Sequence, residues 1–174
     1  MFYRYFSRLL SAFPAVLLLL LSSYNGFAQS NAQDSSMPAS GPPSVLDVYK
    51  SPTCGCCGQW ISHLQSNGYQ ARVHHPDDLD AIKKQYRIGP QYQSCHTAVS
   101  AEGYVFEGHI PAWVINRFLA EKPKGSIGLA VPGMPVGSPG MEMGERFMPY
   151  DVLLLKSDGG SEVYTRITAL KQTH

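Results

Sequence analysis

The chain has 174 residues, with 14 Lys+Arg against 13 Asp+Glu and only 16% of positions charged. No block of like charge stands out, so neither a nucleic acid nor a charged membrane surface is an expected partner. The first 28 residues read as an export signal: Arg4 and Arg8 lead into an apolar run from Leu9 to Leu21, and Gly26 and Ala28 precede the expected cut. That run is shorter than the roughly 18 residues of a spanning helix, and Pro14 interrupts it, so removal is expected and no membrane contact of the mature chain. The two arginines are not adjacent, which favours export of an unfolded chain and loading of any metal afterwards. Their loss leaves 12 basic against 13 acidic residues. Residues 29–43, "QSNAQDSSMPASGPP", have little to pack and read as a disordered leader. The stretch 44–170 is long enough for one domain with a single core.

"SVLDVYK" is β-branched and aromatic and stops at Ser51-Pro52, a first strand. The period then changes. Cys57, Trp60, Ile61 and Leu64 fall on one helical face, and Asn67-Gly68 ends it. "YQARVHH" is a second strand with Tyr69, Ala71 and Val73 on one side. "PDDLDAIKKQYRIG" is a second helix opened by Pro76 or Asp77, with acids in its first turn. "HTAVSAEGYVFEGH" gives two short strands joined at Glu102-Gly103. "IPAWVINRFLAEKPKG" is a third helix, with Pro111 near its first turn and Pro123 past its end. "SIGLAVPGMPVGSPGMEMGERFMP", rich in Gly and Pro, reads as a long ordered loop, a kind that usually serves function. "YDVLLLKSDGGSEVYTRI" closes the domain as a hairpin turning at Asp158-Gly159-Gly160.

The order β-α-β-α-β-β-α predicts an α/β fold with a thioredoxin-like central sheet and flanking helices, followed by the Gly/Pro/Met loop and the C-terminal hairpin. Cys54, Cys56 and Cys57 stand where the first strand enters the first helix. Unpaired N–H groups and the helix dipole there favour thiolate, which serves both as the nucleophile of disulfide exchange and as a soft metal ligand. Three readings stay open. Cys54 and Cys57 form a C-x-x-C redox pair. Cys56 beside them invites mixed disulfides, but three clustered thiolates suit a cuprous ion in low coordination, bridged or single, better than tetrahedral zinc. Two structural disulfides would pair Cys95 with one of the three; a Cys56–Cys57 bridge is strained, a Cys54–Cys57 bridge is not, and a bridge inside one turn staples little chain.

Cys95, His96 and Thr97 open the third strand, opposite the helix corner, where thioredoxin-like proteins usually carry a cis-proline. Here His96 stands in that place, so Cys95 and His96 add two donors to a corner that proline would shield. Met134, Met141 and Met143 lie in Gly/Pro-rich chain and not on an apolar helical face, which makes them candidate thioether ligands or a lid over the cluster; Met148, beside Phe147, is less distinct. His63, His74, His75 and His109 read as solvated or structural, and His174 as frayed tail.

"YKSPTCGCCGQW", "SCHTA", "GYVFEGHIPA" and "GLAVPGMPVGSPGMEM" together resemble the periplasmic copper-resistance family called CopG, over about Val45 to Ile167. The resemblance implies a thioredoxin-like fold, a periplasmic location, copper bound at a cysteine-bridged site, and interconversion of cuprous and cupric ions. Cys54, Cys56 and Cys57 match the family's C-x-C-C, Cys95 its later cysteine, and the Gly-Met-Pro and Met-Glu-Met segments its methionine loop. Cys54, Cys57 and Cys95 are the candidate redox residues, with Cys95 either completing the copper site or forming a reversible disulfide that exchanges electrons with copper. Expected partners are copper ions and other periplasmic copper-handling proteins. The competing class is a metal-free thiol–disulfide oxidoreductase using Cys54 and Cys57.

Overall fold

A computed structural model describes residues 44–173; the expected export signal, the leader and His174 lie outside the described residues. In chain order the elements are β1 (Val45–Lys50), α1 (Gly55–Ser66), β2 (Gln70–His74), α2 (Leu79–Gln85), β3 (His96–Ser100), β4 (Val105–Glu107), α3 (Ala112–Glu121), β5 (Ser126–Ala130), β6 (Tyr150–Lys156) and β7 (Ser161–Ile167). Seven strands make one mixed sheet in the order β2-β1-β3-β4-β5-β6-β7. β1 runs parallel to β2 and antiparallel to β3, and β4 runs parallel to β5. Among the described residues no helix is long and apolar enough to cross a membrane.

Alternation along the central strands sorts side chains to two faces. Leu46 and Val48 of β1, Ala98 of β3 and Phe106 of β4 pack with Trp60, Ile61 and Leu64 of α1 and Val114, Ile115 and Phe118 of α3. The opposite face is smaller, with Val99, Val105, Ala130 and Leu155 gathered around Ile88 just past α2. The helical face read from the cysteine corner is the buried one: Cys57, Trp60, Ile61 and Leu64.

Three expectations need correction. The stretch 126–149 is not all loop, because β5 occupies its first five residues, between β4 and β6. Its strand signal is broken by Gly128, held at φ 153° where a Cβ would come within 1.8 Å of Val105 O, so only glycine lets the two strands close there. α2 begins at Leu79, not at Pro76 or Asp77: Asp78 is its cap, and its carboxylate accepts the Ala81 N–H at 2.9 Å. Around β2, Tyr69 just before the strand is buried and Ala71 partly so, but Val73 is 43% exposed, on a strand at the edge of the sheet.

Candidate metal centre

Ser51-Pro52 turns the chain out of β1, and Cys54 N–H donates back to Ser51 O at 3.2 Å. Cys54 is the cap of α1, and its carbonyl accepts the Gly58 N–H. Cys56 and Cys57 therefore sit in the first helical turn. Across from them, Cys95 immediately precedes β3, and antiparallel pairing places His96 opposite Lys50 at the end of β1. The sheet thus brings two parts of the chain, nearly forty residues apart, to one corner.

Cys54 and Cys57 are joined by a disulfide, while Cys56 and Cys95 are free. Cys56 Sγ is 3.5 Å from Cys54 Sγ, and Cys95 Sγ is 3.5 Å from Cys57 Sγ. All four sulfurs lie within 4.8 Å of one another, close enough to share metal ions. The bridge is one of the pairings the sequence left open, and it takes two of the four sulfurs out of the thiolate pool in this state.

Two histidines flank Cys95. His96 Nδ1 is 3.3 Å and His109 Nε2 is 3.1 Å from its sulfur, and both rings are fully buried. His109 Nδ1 donates to Pro139 O at 2.7 Å, which fixes the proton on that nitrogen and leaves Nε2 as a lone-pair donor aimed at Cys95. His96 packs against the Trp60 ring in a tilted arrangement, 4.2 Å between centroids, and meets His109 edge-on at 4.9 Å. Its Nε2 is buried with no hydrogen-bond partner. Cys95, His96 and His109 form a second three-donor group that shares Cys95 with the sulfur cluster.

Electrostatics here follow burial. Desolvation, with His109 and Lys83 nearby, holds His96 well below the ordinary histidine value, and burial also lowers His109. The Cys95 thiol is pushed up to about 12 by its burial and by Cys56 alongside. The helix corner was expected to favour thiolate, but Cys95 lies off the helix, at a strand end, where the dipole does not offset its desolvation.

Of the residues singled out in the sequence, Cys54, Cys56, Cys57, Cys95 and His96 come together. His109, read there as solvated or structural, joins them; its only signal was its place two residues past β4, the strand paired to His96's own. His63 has its own task, accepting the Ala112 N–H at 3.0 Å and so tying α1 to the start of α3. His74 faces Asp47 at 2.7 Å and His75 meets Lys50 O at 3.0 Å, and neither belongs to the donor groups at the corner. The methionine loop reaches the corner through its backbone. At Gly140, φ +84°, an added Cβ would stand 2.7 Å from both Cys56 O and Trp60 N, so the loop lies directly on the first turn of α1. Met141 follows that contact, whereas Met134 and Met143 are each 50% exposed.

Two solved structures, titled "Copper resistance protein copG", Form 1 and Form 2, are similar to this chain over nearly their whole length. Each is 40% identical with a TM-score of 0.68; they cover 73% and 72% of this chain, and the match spans 99% of each. The chain belongs to the CopG copper-resistance family. A family model described as "Protein of unknown function, DUF411" matches residues 92–141, which contain Cys95, His96, His109 and the loop through Met141. A search of the curated proteins gave no match. Membership in the CopG family ties the chain to copper resistance, and its cysteine cluster has the composition and spacing to hold a metal.

Proposed function

We propose that this protein handles copper in the periplasm, reached after removal of residues 1–28, binding Cu(I) through Cys54, Cys56, Cys57 and Cys95 and interconverting Cu(I) and Cu(II) with the same sulfurs. The observation that carries this reading is the set of four sulfurs within 4.8 Å, two joined and two free. Thiolates are soft ligands that favour Cu(I), and adjacent ones bridge ions. The electron count closes within the cluster: two thiolates, Cys54 and Cys57, each give one electron to a Cu(II) substrate ion, two Cu(I) ions form, and the sulfurs join. The reverse step oxidises two Cu(I) ions while the S–S bond opens to two thiolates. Cys56 and Cys95 stay outside that bond and keep hold of the ions at both stages. His96 and His109 supply nitrogen donors beside Cys95, and nitrogen suits the cupric state better than sulfur alone. Met134, Met141 and Met143 pass copper in and out, consistent with a loop seated on the cluster with two half-exposed thioethers. Other periplasmic copper-handling proteins supply and remove the ions.

The test is anaerobic addition of Cu(I) to the reduced mature chain, with copper and free thiols counted after challenge by a modest chelator. Copper is expected to be retained, and Cys56→Ser to lower the ratio of copper to protein. A reduced chain that surrenders its copper to the chelator ends the proposal. One observation favours a second reading: the Cys54–Cys57 bridge at a helix start is the arrangement of a thiol–disulfide oxidoreductase that needs no metal. That protein would tolerate Cys56→Ser and lose turnover on a protein disulfide with Cys54→Ser.

A further inference from the structure

A charged pair inside a sheet calls for a reason, because drawing both ions out of water often costs as much as their attraction returns. Lys83 of α2 and Glu107 of β4 are such a pair, 3% and 0% exposed. Lys83 Nζ donates to Glu107 Oε1 and, at 3.1 Å, to Thr97 Oγ1. The Thr97 hydroxyl donates in turn to Glu107 Oε2 at 2.6 Å. One further donor comes from outside this triad: the Ser94 backbone N–H reaches Glu107 Oε1 at 2.7 Å. Ser94 precedes Cys95 and lies outside β3, so the strand ladder does not place it. Its hydroxyl donates to Gly133 O in the methionine loop. The Glu107 carbonyl accepts the Val131 N–H at 2.9 Å, and the next residue, Gly108, donates its N–H to His96 O at 3.0 Å on the way to His109. Glu107 thus ties together the segments that carry Cys95, His109 and the loop.

We propose that Glu107 is the positioning residue for Cys95: its carboxylate, held by Lys83 and Thr97, grips the Ser94 N–H and sets the Cys95 sulfur beside Cys57. A carboxylate suits this task because it accepts several donors and brings none of its own. The proposal rests on reading Cys95 as a working sulfur of the copper site. Its test contains no copper, so failure of the copper reading and failure of this one show up in different experiments.

The full chain with Cys54→Ser and Cys56→Ser keeps only Cys57 and Cys95. Equilibrated in glutathione redox buffers, it yields the effective molarity of the Cys57–Cys95 bridge, read by mass spectrometry of the trapped species. Lys83→Met with Glu107→Gln removes both charges but keeps an oxygen for Ser94, and is expected to match the background. Lys83→Met with Glu107→Leu removes that acceptor, and is expected to lower the effective molarity about tenfold or more, the scale on which ångström misplacement acts. Equal values for the Gln and Leu versions, both high or both low, would overturn the proposal, as would a background that forms no bridge. Should the Leu version not fold, Thr97→Val removes the hydroxyl that donates to Glu107 Oε2 and accepts from Lys83 Nζ. The effective molarity is then expected to fall with Thr97→Val and return with Thr97→Ser, and an unchanged Thr97→Val overturns the proposal.

Discussion

Cys95 is flanked by two imidazoles that burial keeps neutral, and this has a consequence for stability. An unfolded histidine takes up a proton as pH falls through about 6.5, whereas His96 and His109, with lowered native values, do so only further down. Between those limits the unfolded chain binds more protons, so acidification favours unfolding. The metal-free protein is therefore expected to lose stability as pH drops below the ordinary histidine value, with about 1.4 kcal/mol per pH unit the upper limit for each histidine that is neutral folded and charged unfolded. Urea unfolding between pH 7.5 and 5 checks this, with His96→Gln reducing the slope by about one proton. Stability that is flat or rises over that range contradicts the buried, neutral assignment. The copper uptake proposed at Cys95 is subject to a related constraint, because a thiol raised to about 12 must shed its proton to bind a metal.

At the scale of elements, the decisive contact is the methionine loop on the tip of α1. Gly137 N donates to Met141 O at 2.9 Å, and Ser138, fully buried, bonds Pro135 O through its hydroxyl at 2.7 Å, so the segment has its own internal order. It closes on the site at Pro139, whose carbonyl accepts the hydrogen bond from His109 Nδ1–H, and at Gly140, which lies against the backbone of Cys56 and Trp60. Gly140→Ala places a methyl group where no space exists and in a left-handed conformation that itself costs about 1–3 kcal/mol. The loop should then lift, with loss of stability of at least that order and faster alkylation of the free thiols Cys56 and Cys95. Thiol protection equal to that of the unsubstituted protein would show that the loop does not cover the cluster. One turn further along α1, Trp60 Nε1 donates to Ile110 O at 2.9 Å and His63 accepts the Ala112 N–H, so the cysteine-bearing helix is tied to the segment that opens α3.

For the whole molecule, the disulfide is a local matter. It joins residues three apart, and closing so short a loop removes little entropy from the unfolded chain. Stability comes instead from the two apolar faces of a seven-stranded sheet, one of them carrying Trp60, Phe106 and Phe118 with zero exposure. Reduction is expected to lower unfolding free energy by about 2 kcal/mol or less, leaving a cooperative transition in urea with reductant present. A reduced chain that is unfolded in buffer would mean that the cysteines are a framework after all. This independence matters for the proposed chemistry, because sulfurs that cycle between bridged and open states must not take the fold with them.

Local signals in the sequence determined most elements and the nature of the corner. Apolar period fixed the buried face of α1, β-branched runs marked the strands, and C-x-C-C at a strand-to-helix junction announced clustered sulfur, because these properties depend on neighbours a few positions away. Only the tertiary structure decided which cysteines are bridged, that His109 stands beside Cys95, that β5 enters the sheet despite Gly128, and that Lys83 and Glu107 meet beneath β3 and β4. Each of these depends on strand order and register, which bring together residues far apart in the chain, and no local period encodes the distance between them.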